Sequence, residues 1–104
     1  MANERLERLR ALVDGNPTNS FLRYGLALEL VNGGDLESAR REFEGLLSAD
    51  PEYLAAYYHS GRTLEKLGQA DQARECYGRG IGVASRQSND HARSELQAAL
   101  DLLG

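Results

Sequence analysis

The stretch LALELVNGGDLESARREF, residues 26–43, decides the fold, because a related stretch returns 34 residues later as SGRTLEKLGQADQARECY, residues 60–77. The matched positions are turn-forming, small or aromatic in both copies: Gly34 with Gly68, Ala39 with Ala73, Ala27 with Gly61, and Phe43 with Tyr77. Self-similarity at a fixed period of about 20–50 residues is typical of architectures that stack one supersecondary unit. The sequence therefore predicts a repeat protein.

Each copy carries two apolar patterns with helical spacing. In the first copy, leucines recur at 22, 26 and 30, and a second apolar pattern runs from 36 to 47. The segment NGGD at 32–35 interrupts the spacing between them. Gly34 is expected to supply the turn, and Asp35 to cap the second helix by accepting backbone N–H bonds. Each copy is therefore predicted to be a pair of helices.

The two ends of the chain fit the same plan as half units. Residues 3–15 carry leucines ahead of Asn16-Pro17, as the second helix of the first copy does ahead of Asp50-Pro51, and Pro51 is expected in the first turn of the next helix. Residues 90–103 form an amphipathic pattern that would cover the last apolar face. Six helices are predicted, over residues 3–15, 18–32, 35–49, 52–67, 70–86 and 90–103.

A 34-residue helix-turn-helix unit with an alanine four residues before an aromatic in its second helix, and with a closing Asp50-Pro51, resembles the tetratricopeptide repeat. The resemblance implies an all-α fold, a right-handed helical-repeat superhelix of about six antiparallel helices. It implies a single domain over residues 1–104, divided into a half-repeat helix at 3–15, repeats at 18–51 and 52–85, and a capping helix at 90–103.

Proteins of this family use the first helices of successive repeats to line a concave groove that holds a peptide or a partner helix. The resemblance places the following side chains on that groove: Phe21, Tyr24, Leu28 and Val31 from the first unit, and Ala55, Tyr58, His59, Arg62 and Glu65 from the second. Tyrosines at these positions are the kind of aromatic anchor that dominates interfaces.

The segment Ser20–Val31 is apolar almost all round, although a helix in a two-layer repeat needs only one apolar face. One interpretation is that the N-terminal helix, or the curve of the domain, covers the second face. The other is that this face binds a protein or peptide partner. An alternative function on the same face is a homodimeric structural or assembly subunit, with a second copy of the chain as the partner.

Composition excludes several classes of partner. The formal net charge is −4 at pH 7 and no Lys/Arg cluster is present, so nucleic acid is not expected as a partner. No apolar run approaches the ~18 residues that would cross a bilayer, so no membrane association is expected. The charged start MANERLERLR does not resemble a secretory signal, which favours a cytoplasmic location.

No set of residues predicts catalysis. Cys76 would lie on a second helix and His59 on the groove side of a first helix, so the two are not expected to form a nucleophilic pair. Two histidines and one cysteine without local spacing do not predict a zinc site. We therefore expect no enzyme activity, no metal and no cofactor.

The segment ECYGRGIGVAS, residues 75–85, contains three alternate glycines that could suggest a phosphate-binding loop. A dinucleotide loop would need a small residue where Val83 stands and a strand ahead of Gly78, whereas the spacing predicts a helix here. Gly80 falls where the first unit has Leu46. We therefore expect Gly80 at a packing position, where its small size lets the last helix approach. For Gly78 and Gly82 two explanations stay open, simple tolerance or close approach of another helix.

Overall fold

The computed structural model describes residues 3–104, which form six α-helices and contain no strand. The helices are α1 (Glu4–Gly15), α2 (Ser20–Asn32), α3 (Leu36–Ala49), α4 (Ala55–Lys66), α5 (Ala70–Arg86) and α6 (Asp90–Leu103). The predicted all-α fold and number of helices are confirmed. Met1 and Ala2 lie outside the described residues.

Four helices begin at an Asn or Asp side chain that accepts a hydrogen bond from a backbone N–H three residues further on. The pairs are Asn3 with Leu6, Asn19 with Leu22, Asp35 with Ser38, and Asn89 with Ala92, at 3.0 to 3.2 Å. Each cap satisfies a donor that the first helical turn leaves unpaired. The predicted role of Asp35 is confirmed.

The placement of Pro51 in a first helical turn was wrong. Pro51 lies in a separate turn, and α4 begins four positions later at Ala55 rather than at residue 52. The hydroxyl of Tyr57 donates a 2.6 Å hydrogen bond to the carbonyl oxygen of Pro51, which folds this turn back against α4. The connection is therefore a fixed loop rather than an extension of the helix.

Three helices end in the same hydrogen-bonded turn, in which a backbone N–H after the helix donates to a carbonyl five residues earlier. The bonds join Asp35 to Leu30, Gln69 to Leu64 and Asn89 to Ala84, at 3.0, 2.9 and 2.9 Å. The residue ahead of each donor has positive φ: Gly34 at 84°, Gly68 at 77° and Ser88 at 55°. Glycine is the residue that usually takes this place. The third turn therefore has the same hydrogen bond as the first two, but Ser88 occupies the position of positive φ and its backbone is strained.

We predict that Ser88→Gly raises the free energy of unfolding by about 0.5–1 kcal/mol, because the left-handed backbone is unfavourable for serine and glycine's freedom in the unfolded chain offsets only part of the gain. Urea denaturation measures the change. Ser85→Gly is the matched control, since Ser85 lies within α5 and glycine there should destabilise the helix. A less stable Ser88→Gly variant would contradict the prediction.

Neighbouring helices run in opposite directions, as shown by contacts that join the start of one helix to the end of another. The contacts are Ser20 with Asp50 at 2.6 Å, Arg86 with Glu52 at 2.7 Å, Arg74 with the Leu103 carbonyl at 3.3 Å, and Arg5 with Glu29 at 3.6 Å. Helix α4 contacts both α2 and α6. Within residues 3–104, α1, α3 and α5 have no Cα atoms within 8 Å of one another. The even-numbered helices therefore form the closer, inner layer of the stack, and the odd-numbered helices form the outer one.

Two glycines bring the layers together. A Cβ atom at Gly61 would overlap the buried ring of Tyr77, and one at Gly80 would lie 2.6 Å from Cβ of Tyr57 and 3.0 Å from Cδ1 of Leu96. Gly80 thus lets α4 and α6 pack directly on the backbone of α5, which confirms its predicted role. The bulky partners Tyr57 and Tyr77 are almost fully buried.

Gly78 and Gly82 have a different environment. A Cβ atom at Gly78 would meet nothing within 4 Å, and one at Gly82 would meet only the end of the Arg86 side chain at 3.7 Å. No other helix approaches either position. Of the two explanations left open by the sequence, the structure favours tolerance.

The two kinds of glycine predict opposite effects within one helix. Gly78→Ala should raise the free energy of unfolding by about 0.8–1 kcal/mol through helix propensity alone. Gly80→Ala should lower it by about 1–3 kcal/mol, because the added methyl group collides with Tyr57. Urea denaturation of both variants checks the pair, and destabilisation by Gly78→Ala would show that a neighbour packs on that position.

Candidate partner-binding groove

A groove of about 240 Å³ lies on the inner layer, between α2, α4 and α6. Its walls are mainly aromatic and apolar, with one carboxylate: Tyr24, Leu54, Ala55, Tyr58, His59, Ala92, Glu95 and Leu96. Apart from Leu54, which directly precedes α4, the residues come from the first halves of the three helices, which lie side by side in the inner layer. We call this cavity the aromatic groove.

The rings of the aromatic groove support one another. Tyr24 from α2 lies with its ring centroid 5.5 Å from that of Tyr53 and 5.8 Å from that of His59, and His59 lies edge-on to Tyr58 at 5.4 Å. Pairs at these separations and tilts are favourable because the edge of one ring meets the face of another. Tyr24 therefore joins α2 to α4, and the groove wall is fixed by contacts between the rings themselves.

The imidazole of His59 is held in its neutral form near pH 7. Burial lowers its pKa, and this effect outweighs the opposing influence of the Glu95 carboxylate; Arg62 and Lys66 lower the pKa further. Burial also raises the pKa of Tyr24, so this phenol stays protonated as well. Among the groove-lining residues, Glu95 is therefore the side chain that carries a charge at neutral pH.

Three of the side chains that the sequence placed on the groove line this cavity, namely Tyr24, Tyr58 and His59. Ala55, which the resemblance also placed there, lines it too. These four positions come from the two complete units, where the 34-residue register applies.

The other five predicted side chains lie outside the cavity. Phe21 is 72% exposed, while Leu28 and Val31 continue along α2 on the same side as Tyr24 and are partly buried against the core. Arg62 lies 4.0 Å from the carboxylate of Glu65, which also accepts a hydrogen bond from the hydroxyl of Tyr77. Leu28 and Val31 lie further along α2 than the cavity does, and Arg62 and Glu65 lie further along α4.

Sequence reasoning missed the contribution of α6. Ala92, Glu95 and Leu96 line the groove, but the apolar stripe of α6 predicted a closing helix with Glu95 on its polar side. The signal was present in the match of Leu96 with Leu26, which a shift of two residues beyond the repeat period brings into register. In the structure α6 takes the place of a third first helix, so its edge becomes a wall of the groove.

The N-terminal helix covers only one side of α2. A Cβ atom at Gly25 would lie 3.7 Å from Cδ2 of Leu9, and Arg5 lies 3.6 Å from Glu29. This contact leaves Phe21 exposed and Tyr24 facing the groove. The apolar character of α2 is thus explained in part by α1 and in part by the groove.

Cys76 lies in a different cleft, of about 380 Å³, between α3 and α5. Its thiol is buried beside the backbone carbonyl of Tyr57 at 3.5 Å, and burial raises its pKa, which keeps the sulfur protonated. His59 lines the aromatic groove instead. The structure therefore does not bring this cysteine and this histidine together.

Comparison with known proteins decides the family. The model of the tetratricopeptide repeat matches residues 30–100, which include most of both complete units. The chain belongs to the tetratricopeptide repeat (TPR) family. TPR proteins act generally as protein-interaction scaffolds.

Several relatives share the TPR architecture over most of their length. A TPR repeat-containing protein of Pseudomonas aeruginosa is 25% identical over 95 residues, which cover 91% of this chain and 90% of the relative. A tetratricopeptide repeat domain protein of Salinibacter ruber has a solution structure with a TM-score of 0.80 at 36% identity, covering 85% of this chain and 89% of that one. The solution structure of a protein from Bordetella parapertussis gives a TM-score of 0.83 at 27% identity, over 99% of this chain and 89% of the other.

Across residues 3–104 of the TPR chain, none of the helices has the length and apolar character needed to span a bilayer.

The buried imidazole predicts a pH dependence of folding. Because the pKa of His59 is lower in the folded state than its ordinary value of about 6.5, the unfolded chain binds the proton more readily. The stabilisation is present above pH 6.5 and is lost as the pH falls through and below that value. Proton NMR should show His59 titrating below its ordinary pKa, and urea denaturation should show stability falling on acidification.

Glu95→Gln tests the cause of this shift. Removal of the carboxylate that raises the pKa of His59 should move its titration to still lower pH. An unchanged or higher pKa of His59 in this variant would contradict the described position of Glu95.

Proposed function

We propose that this TPR domain is a non-catalytic protein-protein interaction module that holds a peptide or a partner helix in the aromatic groove. The observation that carries the proposal is an open cavity of about 240 Å³ with Tyr24, Tyr58 and His59 in its walls. Partly buried tyrosines in a concave site supply large contact area and are enriched where proteins bind one another. The general role of TPR proteins as interaction scaffolds supports the same function.

Recognition follows from how the groove is built. The contacts of Tyr24 with Tyr53 and His59 hold its ring in place before a partner arrives, which reduces the entropy lost on binding. Leu28 and Val31 extend the apolar surface along α2. Arg62 and Glu65, further along α4, form a charged pair that fixes the direction of a bound segment.

A reaction is not part of the proposed function. Within residues 3–104, the groove combines a neutral imidazole with one carboxylate, and Cys76 lies in another cleft with its pKa raised. General acid-base or nucleophilic chemistry needs such groups within hydrogen-bond reach of one another. The arrangement suits binding without turnover.

The test begins with a random peptide library displayed on phage and selected against the intact protein. We expect Tyr24→Ala/Tyr58→Ala to weaken binding of the selected peptides by about 30-fold or more, because the anchor residues of an interface together contribute at least about 2 kcal/mol. Fluorescence anisotropy with labelled peptide measures the change.

Two variants control the experiment. Tyr24→Phe/Tyr58→Phe keeps the rings and should retain most of the affinity, and Leu102→Ala removes an 88% exposed side chain near the end of α6 and should have no effect. Undiminished binding by the folded Tyr24→Ala/Tyr58→Ala variant would rule out the aromatic groove as the binding site.

A second copy of the chain is the alternative partner, as a homodimeric assembly subunit. The observation that favours it is Phe21, an aromatic side chain that is 72% exposed beside the groove-forming helix face. Light scattering at high protein concentration separates the two: a dimer that Phe21→Ser converts to a monomer supports the alternative, and a monomeric wild-type chain removes it.

A further inference from the structure

Glu95 lies at the aromatic groove without an ionic partner. Nine ion pairs join the described residues, and Glu95 belongs to none of them. The nearest arginine along α6, Arg93, lies 3.9 Å from Asp90, and Arg62 of α4 lies 4.0 Å from Glu65. The carboxylate is exposed and lines the cavity. It is therefore available to a group that enters the groove.

The rings beside Glu95, like its carboxylate, favour a positively charged ligand. The faces of tyrosine rings carry partial negative charge, and a cation within about 6 Å of such a face is attracted to it. Tyr24 and Tyr58 line the cavity, and neutral His59 adds no positive charge to it. The lining contains neither lysine nor arginine. A carboxylate and two tyrosine rings, with no lysine or arginine in the lining, favour a cation in the groove.

Two positive charges lie near the groove, both on α4. Arg62 has its Nη1 3.4 Å from the hydroxyl of Tyr58, but its charge is balanced by Glu65. Lys66 is seven residues beyond His59 on α4, which is about 10 Å along the helix axis. Both charges lower the pKa of His59, so they oppose a cation in the groove, whereas the carboxylate of Glu95 raises that pKa and favours one.

We infer that the aromatic groove takes a lysine or arginine side chain of the partner segment, with its methylene groups against Tyr24 and Tyr58 and its charged end at Glu95. Long basic side chains bury their apolar stems in this way while the charged end keeps its polar contacts. This inference rests on the proposed function, since it names the chemistry of the occupant of the same groove. The proposed occupant is a basic protein segment, whose charge is opposite to the net charge of −4 on the chain.

The experiment uses the peptides selected by phage display against the intact domain. We expect the selected sequences to be enriched in lysine or arginine at one position. Replacing that residue with norleucine, which keeps an apolar stem but has no charge, should weaken binding about tenfold, as expected from loss of both the cation–ring and the carboxylate contact. Raising the salt concentration should weaken binding of the basic peptide more than that of its norleucine counterpart.

A matched pair of protein variants assigns the effect to Glu95. Glu95→Gln should weaken binding of the basic peptide by about two- to fivefold and leave the norleucine peptide unaffected. Glu75→Gln is the control, because it removes the same charge from the cleft between α3 and α5 and should leave binding of both peptides unchanged. Thermal unfolding of the two variants verifies that each is folded.

The outcomes separate this inference from the proposed function. Peptides that need Tyr24 and Tyr58 but are indifferent to Glu95→Gln and to norleucine would overturn the inference and leave the proposed function standing. Peptides that are indifferent to Tyr24→Ala/Tyr58→Ala would overturn both. A selection that enriches no peptide would also count against both, because the groove would then lack the affinity for peptides that each requires.

Discussion

The structure depends on the close approach of a large aromatic ring to a helix backbone that carries no side chain at the point of contact. Gly61 of α4 accepts the ring of Tyr77 from α5, which is buried along with Tyr57. In the first unit Ala27 and Phe43 stand at the matching positions, and both are fully buried. The second unit thus combines a smaller residue, Gly61, with a larger ring, that of Tyr77, and the total volume of each pair is similar. Because the hydroxyl of Tyr77 donates a hydrogen bond to Glu65, this core contact also fixes a charged group on α4 beyond the aromatic groove.

Close packing on one side of the stack produces the concave shape that the proposed function needs. Helices of the inner layer contact one another, while those of the outer layer are separated by more than 8 Å between Cα atoms and leave an open cleft above Cys76. Gly80 extends this geometry to α6, because Tyr57 and Leu96 both reach the backbone of α5 at that glycine. The last helix can therefore lie beside α4 and complete the wall of the groove. One helix thus both closes the stack and lines the aromatic groove.

The sequence predicted the parts of the molecule that local chemistry and the repeat period determine. The six helices, the cap at Asp35 and the turns at Gly34 and Gly68 follow from residue types that favour one backbone conformation. Tyr24, Tyr58 and His59, which the family resemblance put on one face, line one cavity in the structure, whereas Arg62 and Glu65 of the same second unit do not. The contribution of Glu95 could not be found this way, since α6 is displaced by two residues from the period and its orientation is set by packing on α5. The turn at Ser88 was missed for a related reason. Serine is not a residue type that predicts positive φ, and the conformation here accompanies the hydrogen bond between Asn89 and Ala84.

Under the proposed function, an unpaired carboxylate in a wall of aromatic rings would select among partners as well as attract one. While the groove is open, Glu95 is exposed to water and costs the folded domain little. When a segment covers it, its hydration is lost, and this loss is unfavourable unless the segment brings a compensating charge or hydrogen-bond donor. An apolar side chain would leave the carboxylate dehydrated and unpaired, and an acidic one would add repulsion. Discrimination of this kind depends on the penalty for the wrong partner as much as on affinity for the right one. The rings supply contact area for many segments, whereas the carboxylate restricts which of them can close the groove without loss.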